Sequence, residues 1–446
     1  MGTYFGTDGI RGTYGDACIN AEFAFRMGAA LGEILPPSAQ LVLGRDTRGS
    51  GPELCQALAA GLEIKGAKLL DYGIVPTPAV ARAVCAHNAD MGIAVTASHN
   101  PASDNGIKLF DKNGCKLSSE VELEIEGAID AQASPLASEL AAPTEMSPVE
   151  GASCYLEAIL DSFESNLLEG LKIVLDTANG ATCKTSPVVL EALGAELFLI
   201  GAKPDGLNIN LGVGSEHGDS LAAAVLKQQA DYGIAHDGDG DRLVICDGTG
   251  VILDGDVLLG ILGLYALETD RLGAQTLVAT VQSNLGLDFT IKNAGGEIVR
   301  TDVGDRNVAS KMRELGATVG GENSGHIILR DYASTGDGLL AALEFLRVLR
   351  ESGKSLEDWR TRVTLFPQAT RNLQLVKKLP LGELSSMQAT RVKVEDDFGE
   401  AGRVLIRYSG TEPKLRLLVE GRDAIAVETA MAALERAARE DLEVLN

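Results

Sequence analysis

Asp237, Asp239 and Asp241 stand on alternate residues of this 446-residue chain. In an extended turn that spacing directs three carboxylates to one side. Oxygen donors crowded in this way repel one another, and they suit a hard cation such as Mg²⁺, which keeps positions open for a phosphate oxygen or water. A calcium loop also opens D-x-D-x-D, but it requires glycine at its sixth position and glutamate at its twelfth. Here those places hold Arg242 and Gly248. A solvated acidic turn is the plainer alternative. The second candidate is Ser98, in Val95-Thr96-Ala97-Ser98-His99-Asn100-Pro101 after the apolar run Gly92–Val95. A serine nucleophile needs activation by a base, a metal or electrostatics. The G-x-S-x-G elbow is absent, and taken alone Ser98 reads more readily as a helix cap. Beside a carboxylate cation site it becomes a candidate to carry a phosphoryl group. Adjacent residues of a strand face opposite ways, so proximity in sequence does not make His99 its base.

Two further clusters could hold an anionic sugar. Arg407, Ser409, Gly410, Thr411, Lys414 and Arg416 gather cations, hydroxyls and backbone N–H groups within ten residues. That composition suits a phosphate-binding nest, or else a hairpin turn with exposed charges. Glu322, Asn323, Ser324 and His326, among glycines, could hydrogen-bond sugar hydroxyls or form a structural turn. Arg11, Arg45 and Arg48 add cations early in the chain, and Lys108 lies near Ser98 as a proton shuttle or phosphate contact; each could equally be a surface charge.

The formal net charge of -24 argues against nucleic acid and anionic membranes as partners. Seven scattered cysteines without a C-x-x-C pair indicate neither a zinc site nor a disulfide framework, and they fit a reducing compartment. No signal pattern opens the chain, and the apolar run Val257–Leu267 is too short to span a bilayer. A cytoplasmic protein is expected.

The elements that must position these residues repeat three times. The first copy reads LVLGRDTR (41–48), GAKLLDYG (66–73) and DMGIAVTASHN (90–100). The second reads LKIVLDTANG (171–180), GAELFLIG (194–201) and DYGIAHDGDGD (231–241). The third reads TLVATVQSN (276–284), GGEIVRTDVGDR (295–306) and GATVGGENSGH (316–326). Short Val/Ile/Leu strands alternate with periodic helices such as 52–65 and 187–193, which predicts three related α/β domains with mixed or parallel sheets. Each third strand runs into one of the unusual loops, the place where open α/β sheets bind ligands. After residue 365, segments 372–378, 390–395, 403–408 and 414–420 alternate like strands, and 423–441 reads as an amphipathic helix. The expected domains are 1–148, 149–250, 251–365 and an α+β domain over 366–446, with a linker over 131–148.

Six segments in order, YFGTDGIRG (4–12), TASHNP (96–101), DGDGDR (237–242), TDVGDR (301–306), GENSGH (321–326) and RYSGTEPKLR (407–416), resemble the α-D-phosphohexomutase superfamily over essentially the whole chain. The resemblance implies four domains around a central cleft, the first three alike. GENSGH, rather than GEMSGH or GEESGG, points to the branch acting on glucosamine phosphates; His236 stands where that branch usually has Phe. By resemblance, Ser98 is a phosphoserine, with Mg²⁺ on Asp237, Asp239, Asp241 and a phosphoryl oxygen of Ser98. Glucosamine 6-phosphate and glucosamine 1-phosphate would interconvert through a 1,6-bisphosphate, with glucosamine (or glucose) 1,6-bisphosphate as activator. The product would feed UDP-N-acetylglucosamine and cell-wall precursors. His99 and Lys108 become candidates for proton transfer, and Arg11, Arg242 and Arg306 for charge stabilisation. Glu322, Asn323, Ser324, His326, Asp305 and Arg306 would meet the sugar, and Arg407, Ser409, Gly410, Thr411 and Arg416 its phosphate. A homodimer is expected from the branch. A glucose- or mannose-phosphate mutase, a metal-dependent phosphatase and a non-catalytic sugar-phosphate sensor are the competing functions.

Overall fold

The computed structural model describes residues 2–140, 146–149, 152–409 and 413–445. The chain divides into two compact units, Met1–Gln282 with Ile298–Leu356, and Ser283–Glu297 with Glu357–Asn446.

The first sheet of the first unit contains β1 (Ile10–Thr13), β2 (Gln40–Arg45), β3 (Lys68–Ile74), β4 (Met91–Val95), β5 (Asp104–Asp111) and β6 (Ser147–Pro148), in the order β1-β5-β4-β2-β3-β6. β2 pairs in parallel with β3 and β4, whereas β5 folds back antiparallel on β4. Leu41, Val42, Leu43, Ile93 and Val95 are buried, as continuous apolar strands covered on both faces must be. Helix Ala21–Ile34 starts at Asn20, whose side chain accepts from Phe23 N, and helix Gly51–Glu63 carries Pro52 in its first turn. The two cross closely because Gly28 and Gly61 lack side chains: a Cβ on Gly61 would lie 2.1 Å from the Phe25 carbonyl oxygen.

The second sheet contains β7 (Lys172–Asp176), β8 (Glu196–Ile200), β9 (Tyr232–Ala235) and β10 (Val244–Asp247), ordered β10-β9-β7-β8. The third contains β11 (Thr276–Thr280), β12 (Glu297–Thr301), β13 (Val319–Gly321) and β14 (Ile327–Leu329), ordered β12-β11-β13-β14. All three sheets therefore repeat one arrangement. The first strand of a copy lies between its second and third, and a fourth strand returns antiparallel beside the third. The loop joining third to fourth is the one holding Ser98, Asp237–Asp241 or Glu322–His326. Repeated topology thus places the three chemically unusual loops at equivalent positions of the three α/β domains.

In the second unit, β15 (Gln368–Gln374), β16 (Gly402–Tyr408) and β17 (Lys414–Gly421) form an antiparallel sheet ordered β15-β17-β16. Leu373, Leu415, Leu417 and Val419 pack with Met431 and Leu434 of helix Ala424–Asp441, so this unit has its own core. Residues 390–395 do not form the expected strand; they lie in helix Ser385–Phe398. Its buried residues, Met387 and Val394, are seven apart and return to the same face of a helix, a period that alternation over six residues could not reveal. Ser283–Glu297 belongs to this unit although the repeat assigns it to the third domain: Asn284 Nδ2 donates to the Phe366 carbonyl at 2.9 Å, and Phe289 packs on Phe366. The expected linker 131–148 holds a short helix, Ala137–Leu140, and β6; residues 141–145 lie outside the described residues.

Candidate active site

Ser98 follows β4 in a turn whose backbone it enters at φ 53°, a left-handed conformation that costs a non-glycine residue about 1–2 kcal/mol. The turn is held from several sides. Ser98 N donates to Thr96 Oγ1 at 2.9 Å, and Thr96 Oγ1 donates to Asp46 Oδ2 at 2.7 Å. The fully buried Arg48 binds Asp46 through Nε at 2.8 Å and gives its remaining donors to the loop carbonyls. Nη2 donates to Ser98 O at 2.9 Å and Asn100 O at 2.8 Å, and Nη1 to Asp104 O at 2.7 Å. Asn210 Nδ2 donates to Ser98 O from the second domain at 2.8 Å. Arg48 is therefore no surface cation. One planar guanidinium, about fifty residues away in the chain, gathers the carbonyls of a single loop, a task its fork of fixed donors suits.

The acidic loop meets this turn directly. Ser98 Oγ donates to Asp237 Oδ2 at 2.5 Å, and a Cβ on Gly238 would come within 2.6 Å of Ser98 O. Asp237, Asp239 and Asp241 are buried, and one oxygen of each lies within 4.8 Å of the others. Burial, then repulsion from Asp241 and Asp239, pushes the Asp237 carboxyl up to about 8. Asp239 Oδ2 accepts from Thr77 Oγ1 at 2.6 Å and Lys108 Nζ at 2.8 Å, while Asp239 Oδ1 is buried without a partner among the described residues. Hard oxygen donors, an unsatisfied buried oxygen and mutual repulsion fit a divalent cation.

Lys108 is buried rather than a surface charge, with Nζ 2.8 Å from Asp239, 2.9 Å from Asp241 and 3.2 Å from Asp8. Burial opposes its charge, but Asp239, then Asp241 and Asp8, hold its pKa well above the usual lysine value, so it is a fixed ammonium. Asp8 also binds Arg11 and Lys116, and Lys116 binds Asp305. His326 is buried between Asp241 Oδ1 at 3.5 Å and Asp305 Oδ2 at 3.4 Å. Burial lowers its pKa, but Asp241 and Asp305 outweigh this and raise it to about 9. His99 departs from the strand argument: Ser98 and His99 lie in a turn, and Nδ1 is 3.3 Å from Ser98 Oγ. Burial, then Arg242 and Arg11, holds that imidazole down at about 4, neutral near pH 7.

The remaining predicted residues divide between the units. Arg242 N donates to Asp237 Oδ1 at 3.2 Å, and its side chain reaches Glu216 at 3.3 Å. Glu322 Oε1 accepts from Gly304 N at 2.9 Å, which joins the GENSGH and TDVGDR loops. Among the described residues Ser324 Oγ is buried without a partner; Asn323 is exposed, and Arg306 pairs with Glu122. In the second unit, Arg407 faces Arg416 across β16 and β17; burial and then Arg416 lower its pKa. Ser409 O accepts from Lys378 Nζ at 2.6 Å. Gly410 and Thr411 lie outside the described residues.

Profiles of the phosphoglucomutase/phosphomannomutase family match in chain order: α/β/α domain I over residues 2–135, domain II over 153–250, domain III over 254–366 and the C-terminal domain over 371–437. A phosphoglucosamine mutase of Methylobacillus flagellatus is 44% identical over 445 residues, covering 95% of this chain and 96% of the relative. The chain belongs to the phosphohexomutase superfamily and, within it, to the phosphoglucosamine mutase family. A phosphoglucosamine mutase of Caulobacter vibrioides is 42% identical, covering 98% of both chains. The four-domain α/β fold expected of a phosphohexomutase is thus borne out. A solved phosphoglucomutase/phosphomannomutase family protein of Burkholderia thailandensis superposes with a TM-score of 0.80 at 26% identity over 98% of both chains. The N-acetylphosphoglucosamine mutase of Aspergillus fumigatus, solved with GlcNAc-6P and magnesium, shares the phosphohexomutase fold at 17% identity, with a TM-score of 0.67 over 98% of this chain and 96% of that one.

Asp8, Asp46, Thr77, Lys116 and Asn210 were not singled out as site residues by their types and spacing, and Arg48 was named only as one of the early cations. Asp8 lies within a quoted motif, and Asp46 and Arg48 within RDTR, but only folding shows which side chains turn inward. Lys116 and Asn210 carry no local signal.

Proposed function

We propose that the chain interconverts glucosamine 6-phosphate and glucosamine 1-phosphate. The observation that carries this is Ser98 Oγ 2.5 Å from the three-aspartate cluster, in a chain 44% identical to a phosphoglucosamine mutase. Ser98, carried as a phosphoserine, gives its phosphoryl group to the sugar 1-hydroxyl and forms a 1,6-bisphosphate. After the intermediate turns over, its 6-phosphate returns to Ser98 and glucosamine 1-phosphate leaves. Asp237, Asp239 and Asp241 would hold Mg²⁺, which when bound neutralises charge on the phosphoryl oxygens. Arg48 and Asn210 fix the Ser98 turn for in-line transfer, the positioning on which phosphoryl transfer depends. His99, 3.3 Å from Ser98 Oγ, is the group placed to exchange a proton; Lys108, fixed as an ammonium, supplies charge. Glu322 and Ser324 are assigned to sugar hydroxyls, and Arg407, Ser409 and Arg416 to whichever phosphate is not being transferred in a given half-reaction.

A 1,6-bisphosphate is the expected activator, the cytoplasm the expected compartment and a homodimer the expected form. Among the described residues, no helix is long and apolar enough to cross a membrane. The decisive test compares kcat/KM for glucosamine, glucose and mannose monophosphates with Mg²⁺ and trace bisphosphate. A preference of orders of magnitude for the amino sugar supports the reading and links the enzyme to UDP-N-acetylglucosamine synthesis. Equal rates would move it to the broader branch. Undiminished turnover by Ser98→Ala would overturn the phosphoserine.

A further inference from the structure

We propose that a cavity of about 340 Å³ in the first unit is a second ligand site, one that takes a small anionic molecule with an apolar body. Its volume suits a small ligand. Buried Met312, Ile328 and Leu340 contribute an apolar lining, while Arg82, Arg313 and Arg330 bring cations to the same hollow. Among the described residues none of these arginines pairs with a carboxylate. Arg330 Nη2 donates to the Gly316 carbonyl at 3.1 Å, and Arg313 reaches the Cys115 thiol. Several arginines elsewhere in this unit find acids, among them Arg11 with Asp8, Arg242 with Glu216, Arg306 with Glu122 and Arg347 with Glu344, whereas Arg45 and Arg350 donate to backbone carbonyls. In a chain with 63 acidic and 39 basic residues, carboxylates are plentiful. Asp331 and Asp337 also line the hollow, Asp337 with Oδ1 held by Leu340 N and Tyr155 OH, so three guanidiniums outnumber two carboxylates there, and an anion carried on an apolar body matches the excess.

The cavity also has a physical connection to the chemistry. Helix Thr77–His87 places Thr77 Oγ1 2.6 Å from Asp239 Oδ2, and further along brings Arg82 and Cys85 to the cavity. Helix Asp305–Leu315 begins at Asp305, which contacts Lys116 and His326, and carries Met312 and Arg313 to the same cavity. A ligand that draws Arg82 and Arg313 together bears on two helices whose first residues touch the charge cluster, so occupancy should alter turnover.

The probe is 1-anilinonaphthalene-8-sulfonate, which joins one sulfonate to an aromatic body, titrated by fluorescence into the full chain. One saturable site is expected, with saturating glucose 1,6-bisphosphate failing to displace the dye. Arg82→Gln and Arg313→Gln should each weaken binding about tenfold, and Arg82→Lys should restore most of it. Both residues are exposed, so circular dichroism should match the parent; Arg330→Gln, on neither helix, should weaken binding as well. Equal affinity in all variants, or competitive displacement by the bisphosphate, overturns the site. Dye occupancy should change kcat or KM in the parent but not in Arg82→Gln; unchanged kinetics in both would overturn the coupling.

Discussion

At the scale of single residues, Arg48 has the clearest consequence. It is fully buried and spends its donors on Asp46 and on the carbonyls of Ser98, Asn100 and Asp104. Arg48→Ala leaves the Asp46 carboxylate buried without its cation, so a loss of roughly 3–5 kcal/mol is expected in urea unfolding. Arg48→Lys keeps the charge but not the fork, and should recover stability more fully than kcat. Equal recovery of both would show that the Ser98 turn does not depend on the guanidinium's shape. The aspartate cluster makes a separate prediction. Chelation should abolish turnover, and returning Mg²⁺ to the stripped protein should raise Tm, because a cation relieves the repulsion among Asp237, Asp239 and Asp241. An unchanged melting curve would count against binding at this cluster.

At the scale of elements, the crossing of helices Ala21–Ile34 and Gly51–Glu63 depends on Gly28 and Gly61. Gly61→Val would press against the Phe25 carbonyl and separate the helices, at about 1–3 kcal/mol or more, measurable as a fall in Tm. Helix Gly338–Ser352 is capped by buried Asp337, whose Oδ1 accepts from Leu340 N and Tyr155 OH, both at 3.0 Å. Burial raises this carboxyl to about 6. Unfolded, it titrates near 3.9. Between about pH 4 and pH 6 the folded state therefore holds the extra proton, and stability falls as pH rises through that window. Asp337→Asn keeps the cap and never ionises, so it should lose this fall and gain on the order of 2–3 kcal/mol near pH 7 relative to the parent. Parallel stability–pH curves for parent and variant would refute the assignment. The strands of the three repeats were legible because buried parallel strands leave compact apolar runs. Residues 390–395 were misread because alternation over so short a stretch does not separate strand from helix.

At the scale of the whole molecule, the residues proposed for the chemistry divide between the two compact units. Ser98, the aspartates, Lys108 and His326 belong to the first, and the facing pair Arg407 and Arg416 to the second. Removing one of two like charges already in conflict should cost the fold little. Arg407→Gln is therefore expected to raise KM for the sugar phosphate about tenfold while leaving the Tm within a degree or two. A kcat loss with unchanged KM would mean that this pair does not serve ground-state binding of phosphate.

The repeated α/β pattern, the acidic loop, Ser98 and the ordered motifs of the superfamily were legible before folding, because each is written in contiguous residues. Which charges lie at the surface and which turn inward depends on packing between segments distant in the chain. Arg48, Lys108, Asp8 and Lys116 are ordinary charged letters until strands far apart in the chain bring them together. There burial makes an unpaired charge too costly, so each is matched with partners that no local spacing could identify.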